Sequence, residues 1–454
     1  MQEGISGKIA NIFINSKLTI LLMVALMAIG IYSSFLIPRE EEPQIIVPMA
    51  DVLVGYPGAS PTEVESRVIK PLEKIISDIK GVQHVHSIAM NGQSMIIVQF
   101  YVGEDTERSY VKLYDELMRH QGMFPPGVTQ PLVKTRSIDD VPMLGLTFWS
   151  DTYNDFQIRQ IAEEVTSEIE KVKDVSITKV IGGRNRQLKV VLDKDKMAEN
   201  GIDALGIMQM IQANNSSSQS GSFVQNDQEY LITTGKFLTS AKDVENLVVG
   251  VNNNMPVYLK QVATIKDGPE KPNSYVSFGY GKNNEKYTSN SGEYNAVTLS
   301  IAKVKGADAM KISEKILDRV ENLKQTLIPA DVHVDVTRNY GETASHKVGE
   351  LLLHLGVAIL AVTILVMLAM GWRGGLVVFF SVPLTFALTL FSYYLLGYTL
   401  NRITLFALVF VEGIVVYDRI TTAENLHRHV KITCLPFKQA HISAINEVGN
   451  PTLL

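Results

Sequence analysis

The side chains with the most distinctive chemistry lie in an otherwise apolar stretch, residues 403–423. It contains Glu412, Asp418 and Arg419, with Tyr417 directly before the second acid. A carboxylate among apolar groups is costly when ionised, which favours its protonated form and suits it to bind and release a proton. Asp418 is the candidate for that chemistry. Tyr417 is not, because a phenol titrates far above neutral pH. On a helix Glu412 lies about 140° around from Tyr417, so it does not take over that face. Glu412 and Arg419 are seven residues apart and share a face about two turns apart, with the arginine leaning back toward the glutamate. They are expected to form an intramembrane pair in which each charge partly neutralises the other.

No other constellation competes. Nothing has the form of a nucleophile elbow, a phosphate-binding loop or a zinc helix, so the chain is not expected to be an enzyme. The single cysteine, Cys434, rules out an intrachain disulfide and leaves a cysteine metal site without ligands. His427 and His429 are two residues apart, which separates their rings on a helix and points to a solvated face rather than a metal site. Met95, Met123, Met143 and Met255 form no cluster, and methionine is more often core filler than ligand. A net charge of −5 over 454 residues gives no footprint for nucleic acid.

The positioning elements follow from where the apolar residues concentrate. Residues 18–37 form an uncharged run of twenty, enough for a ~30 Å hydrocarbon core at about 1.5 Å per residue. A signal peptide is the alternative, but the run is long and no small-residue cleavage site follows it. Residues 351–370, 376–396 and 403–423 are three further spans joined by short links, with Pro383 inside the third of the four and His354 near the start of the second. Lys8 and Lys17 place the N-terminus in the cytoplasm. The turn at Arg373 and the run His427-Arg428-His429-Val430-Lys431 then fall on the same side, and residues 38–350 are exported. Arg402 falls at the outer edge, where it is expected to snorkel.

The exported part contains repeats. Residues 47–101 and 142–193 each read strand, helix, strand, glycine turn, strand, with hairpin signals at Asn91-Gly92 and Gly182-Gly183. The first repeat helix has an N-cap at Ser60, Pro61 at its first position, and Val64, Val68, Leu72, Ile75 and Ile79 on one face. The glycine turns precede no helix N-terminus and so do not cradle phosphate. A third strand–helix–strand unit covers 296–336, with its helix over 307–327. Units of this size suggest ferredoxin-like α+β subdomains. The polar run at 214–222 reads either as a flexible loop or as an arm reaching a neighbouring subunit.

These residues resemble those of the resistance–nodulation–division (RND) transporters, of the hydrophobe/amphiphile efflux type. The resemblance covers essentially the whole chain. It is carried by Pro38-Arg39-Glu40-Glu41-Glu42-Pro43-Gln44, Tyr56-Pro57-Gly58-Ala59-Ser60-Pro61, Gly413-Ile414-Val415-Val416, Glu424-Asn425 and the run from Ala444 to Thr452. It implies a multi-pass α+β protein of the bacterial inner membrane with a large periplasmic domain. Residues 1–17 would be a cytoplasmic N-terminus, 18–37 the first span, and 38–140 the first porter subdomain. Residues 141–193 with 293–340 would be the second porter subdomain and 194–292 a docking subdomain. The remaining spans would be 351–370, 376–396 and 403–423, and 424–454 would lead toward a fifth span beyond the chain.

The resemblance further implies export of hydrophobic or amphiphilic compounds. The proton gradient would drive it, with no cofactor, and the partners would be a homotrimer, a periplasmic adaptor and an outer-membrane channel. The family usually carries two adjacent aspartates in the fourth span, with a lysine partner from the second half. Here Asp418 matches the second aspartate, Tyr417 stands in place of the first, and Arg419 replaces a small residue. The site is therefore open between a proton relay through Asp418, a degraded site, and a structural ion pair. A chain of this extent is expected not to transport alone. A non-transporting scaffold or remnant and a heavy-metal exporter are the other functional readings. No residue is singled out for substrate binding.

Overall fold

The computed structural model describes residues 4–14, 16–41, 43, 45–287, 292–432 and 436–452, without the side chains of residues 412, 431, 432, 437 and 450–452. Two sheets of the same connectivity carry most of residues 38–350. In the first, β1 (Met49–Gly55), β2 (Val82–Met90), β3 (Gln93–Phe100) and β4 (Leu132–Arg136) run antiparallel in the order β2-β3-β1-β4. Helices join β1 to β2 and β3 to β4. Both cover one face, burying Val52, Val98 and Phe100 against Leu72, Ile76, Leu113 and Leu117. The Asn91-Gly92 hairpin forms between β2 and β3, with Gly92 at φ 72°.

The first repeat helix starts as its residues predict. Ser60 accepts from the Glu63 amide, and the Glu63 carboxylate accepts from the Ser60 amide at 3.0 Å. The helix then widens into a π turn over Glu65–Ile69 before Lys70–Ser77. Pro71 gives the reason: it has no amide to donate and its ring crowds the carbonyl four residues back, and the wider turn relieves both. The extra fraction of a turn moves Ile76, not the expected Ile75, onto the buried face.

The second sheet starts with β5 (Leu144–Ser150) and β6 (Val175–Ile181). The chain then leaves through β7 (Arg186–Leu192), β8 (Ser218–Gln225), β9 (Gln228–Thr234), β10 (Val248–Asn252), β11 (Met255–Tyr258) and β12 (Ala263–Pro269). It returns as β13 (Ser277–Phe278), β14 (Tyr294–Lys303) and β15 (His333–Asn339), in the order β6-β14-β5-β15 with β13 on β14. The hairpin expected at Gly182-Gly183 is therefore corrected: β7 does not pair with β6 but with β12, over seven residues. The glycines serve a close crossing instead. A Cβ on Gly183 would stand 2.7 Å from the Asp155 carbonyl oxygen, and Arg184 then binds the Asp155 carboxylate at 2.7 Å. Long-range pairing overrode a strong local turn signal.

The excursion between the halves of this sheet has its own small core around Ile207, Val249, Leu259 and Val262. Two helices open it, Lys194–Asn200 and Ala204–Asn214, broken at Gly201 with φ 64°. The polar run is a loop only in part: Asn214 ends a helix, and Ser218–Ser222 begin β8, which pairs with β9 through a two-residue turn at Asn226-Asp227 with both φ positive, the geometry that favours hairpins. Both strands are exposed along almost their whole length.

Three described helices, Lys17–Leu36, Tyr340–Met370 and Trp372–Leu396, are long and apolar enough to cross a membrane. A fourth, Arg402–Ile432, lies along them but carries the charged residues that set it apart. Gly30 packs so closely on Ala387 that a Cβ would stand 2.3 Å from that residue's own Cβ. Ile37 meets Leu390 and Leu400, so the first and third helices run in the same direction. Leu405 and Leu408 also join Leu390, while Val416 and Ile420 meet Val378 and Val382, so the fourth helix runs back. A short helix, Ile5–Phe13, packs on the last helix, Phe437–Thr452, at the end of the bundle away from the sheets, with the Gly4 amide on Asn446 at 2.7 Å.

Candidate functional site

The fourth helix has a firm start. The Asn401 side chain accepts from the amides of Ile403 and Thr404, both at 3.0 Å, and Thr404 returns its hydroxyl to Asn401 and Thr399. Arg402 does not merely snorkel. It binds Glu41, in the segment after the first spanning helix, at 3.1 Å. In that same segment, the Glu40 carboxylate is 3% exposed and pairs with Lys303 of β14, itself 12% exposed. The Glu40 amide donates to Leu400 and the Leu400 amide to Pro38, at 3.0 and 2.9 Å. The Arg39 carbonyl accepts from Ala309, the first residue of helix Ala309–Leu323. One short strap thus touches the second sheet, its helix, and the head of the fourth helix.

Farther down, a cavity of about 100 Å³ separates the third and fourth helices. It is lined by Thr385, Phe386, Thr389, Val411 and Val415. The two threonines donate to carbonyls of their own helix, Ser381 and Thr385. From the fourth helix Arg419 reaches one of these threonines, donating to Thr385 Oγ1 at 3.1 Å. The side chain of Glu412 lies outside the described residues, and with it the expected Glu412–Arg419 pair. What is described of Arg419 is its bond to the third helix.

Asp418 is half-buried beside Val416 and Ile420, which pack on the second and third helices, and its carboxylate meets no hydrogen-bond partner among the described residues. Tyr417 is 70% exposed and ends a stripe of exposed residues, Ile403, Phe406, Phe410 and Ile414, on the flank turned away from the other three helices. Asp418 thus sits at the border between the packed side of the helix and that open flank.

At the far end of the fourth helix, His427 and His429 part company. His429 Nε2 lies 2.7 Å from Glu447, which also takes two contacts of 2.9 Å from Arg428. His429 is therefore not on the solvated face the sequence suggested, because the last helix folds back over it. Its ring, with Arg428 and Asn425, holds the Glu447 carboxyl down to about 2. On the second sheet, Trp149 of β5 donates to Asp335 of β15 at 2.8 Å, and Tyr280 and Lys286 reach the same carboxylate at 2.9 Å. Phe278, Tyr294 and His333 ring the indole.

Sequence reasoning missed Thr385, Lys303 and Glu41 as partners. The glutamate run at 40–42 was visible as a motif, but nothing local indicates which distant cations it meets. Among the described residues no group of histidines, cysteines and carboxylates is placed to hold a metal.

A family model described as AcrB/AcrD/AcrF matches residues 9–454. The chain is similar to a protein named multidrug resistance protein MdtC from Photorhabdus laumondii subsp. laumondii, 28% identical over 434 residues, covering 95% of this chain and 40% of that one. Proteins of the same name from Yersinia enterocolitica and Pantoea ananatis are 27% and 28% identical, each over 95% of this chain and 41% of their own length. The chain thus spans about two fifths of the length of these relatives.

Proposed function

The chain belongs to the AcrB/AcrD/AcrF family, and from that premise we propose that it forms the N-terminal part of a proton-driven exporter of hydrophobic or amphiphilic compounds in the bacterial inner membrane. Its relatives' name, multidrug resistance protein, supports this substrate class. The single observation that carries the coupling is Asp418: a half-buried carboxylate with no described partner, on a helix otherwise packed through valine, leucine and isoleucine. In such surroundings loss of its charge changes the cost of packing that helix, and the helix head is tied through Arg402 to the strap at Glu40 and Glu41. Protonation is thereby read out at β14.

The same reading makes residues 403–423 of the helix Arg402–Ile432 a fourth span and has both sheets in the periplasm. Their split β-α-β connectivity and antiparallel order support two ferredoxin-like porter subdomains, at 38–140 and at 141–193 with 293–340. Residues 194–292 are then the docking subdomain. Its exposed β8–β9 hairpin is shaped as an arm for a neighbouring copy in a homotrimer, beside a periplasmic adaptor and an outer-membrane channel.

The test uses an efflux-deficient host expressing this chain joined to the remaining length of such a pump, with an adaptor and channel. Dye export that a protonophore collapses, and that Asp418→Asn reduces to the vector background while the protein remains in the membrane, is the expected result. Export unchanged by Asp418→Asn would remove the relay. A non-transporting scaffold is the second reading, and Tyr417 favours it, since a phenol stands where the family usually has its first aspartate. In that case no export is seen, and Tyr417→Asp restores it only if the rest of the site is intact. Nothing observed favours heavy-metal export.

A further inference from the structure

At the end of the bundle opposite the sheets, the turn between the second and third spanning helices opens into a cavity of about 450 Å³. Three separate elements bring basic or amphipathic side chains to it. Trp372 and Arg373 come from the head of the third helix, His427 from the tail of the fourth, and His441 from the last helix. No carboxylate lines it among the described residues. Arg373 forms no ion pair with a described residue. Its guanidinium instead stands 5.6 Å from the Trp372 ring centroid, and Trp372 is 61% exposed. The rest of the wall is apolar, with Val377 and Leu426 leading from the basic rim toward the middle of the bundle.

This combination selects its occupant. A cation and imidazole N–H donors at a helix-end rim suit a phosphate. An exposed tryptophan belongs at the headgroup level of a bilayer, with its ring partly in hydrocarbon. An apolar wall running from there along the spans suits acyl chains, not water. The uncapped start of the third helix, where Gly371 offers no side-chain acceptor, adds amide donors on the same side. A soluble phosphate would use the rim but leave the apolar wall uncovered.

We propose that this cavity binds the headgroup of an anionic phospholipid of the adjacent leaflet, with its phosphate on Arg373 and His427 and its glycerol and upper acyl chains against Trp372, Val377 and Leu426. The leaflet is the cytoplasmic one, a clause that rests on the orientation proposed above. Basic pockets between spanning helices on that side are where anionic headgroups are held, with about 1 kcal/mol, or about fivefold, per cation.

The chain has two tryptophans, Trp149 and Trp372, which makes the site addressable. The full chain is reconstituted in equimolar phosphatidylglycerol and phosphatidylcholine, with bromine placed high on the acyl chains of one lipid or the other. The quenching of Trp372 is taken as the difference from the Trp372→Phe chain. Greater quenching by brominated phosphatidylglycerol, corresponding to about fivefold local enrichment, is expected. That preference disappears in Arg373→Gln combined with His427→Gln and survives in Arg373→Lys, and retained quenching of Trp372 by both brominated lipids shows that the double variant inserts. Equal quenching by both lipids, or a preference that persists in the double glutamine variant, overturns the proposal. Loss of the preference on adding glycerol phosphate at matched concentration also overturns it, in favour of a soluble phosphate. Orientation is read separately, from a phosphatase fusion within Gly371–Gly374. An active fusion refutes the cytoplasmic placement without touching the lipid selectivity.

Discussion

Glu40 shows how much a single side chain can decide. A carboxylate this buried is tolerable only with a cation against it, and Lys303 supplies one from a strand more than 250 residues away. Removing one partner leaves the other charged and desolvated, at a cost of about 3–5 kcal/mol. Lys303→Met is therefore expected to lower the denaturation midpoint strongly, while Glu40→Leu with Lys303→Met recovers most of the loss; equal loss in single and double variants would contradict the pair. Glu447 is the opposite case, an acid at the surface held at about 2 from an ordinary 4.5, first by His429 and then by Arg428 and Asn425. A depressed acid stabilises its contact fully above its ordinary pKa, and that stabilisation disappears as pH falls toward the folded value. Amide exchange across residues 440–449, corrected for its intrinsic pH dependence, should rise as pH falls from 4.5 toward 2. Glu447→Gln should show the same rise at neutral pH.

At the scale of elements, two glycines set how closely helices approach. Gly30 lets the first spanning helix touch Ala387 backbone to backbone, and a Cβ there has no room. Small residues at such crossings are what lets spanning helices pack, since lipid supplies no hydrophobic drive between them. Gly30→Val is expected to part the first and third helices, read as increased protease cleavage after reconstitution. Gly341 does the same for the second helix, where a Cβ would stand 2.4 Å from Ser313 Oγ and 2.6 Å from the Ala309 carbonyl oxygen. That contact matters because Tyr340–Met370 begins directly after β15, capped by Asn339, and runs on into the apolar span. No linker separates the second sheet from the bundle. In the first sheet, Ser60→Ala removes a cap worth about 1 kcal/mol and should shift the thermal midpoint accordingly. Leu72→Ala, at a fully buried position, should cost about 3 kcal/mol.

The whole molecule is organised around the strap at residues 37–41. It pairs with Leu400 between the third and fourth helices, and with β14 and helix Ala309–Leu323 on the sheet side. A displacement of the fourth helix therefore has a short, rigid route to the second sheet. Cysteines at Arg39 and Leu400, in a Cys434→Ser background, should cross-link under mild oxidation, because bridged positions place their Cα atoms within disulfide reach. Failure to cross-link in the membrane-inserted chain would break this layout.

The sequence by itself determined the composition of each layer. Uninterrupted apolar runs identified the helices at 18–37, 351–370 and 376–396, because nothing but a helix satisfies its own backbone in hydrocarbon. Alternating strands, the Ser60 cap and the Asn91-Gly92 turn were legible because each is a local device. The acids of the fourth helix were legible because a charge in an apolar run is conspicuous. Tertiary structure alone decided which distant groups meet. β7 left β6 for β12 although Gly182-Gly183 signals a hairpin, and the second half of the polar run at 214–222 became part of a paired strand. Pro71 shifted a helix face by one residue, Arg419 found Thr385, and Glu40 found Lys303. The physical reason is common to these pairings. Periodicity, caps and turns act over a few residues, whereas strand partners and buried charges are chosen by three-dimensional complementarity between segments whose separation along the chain carries no signal.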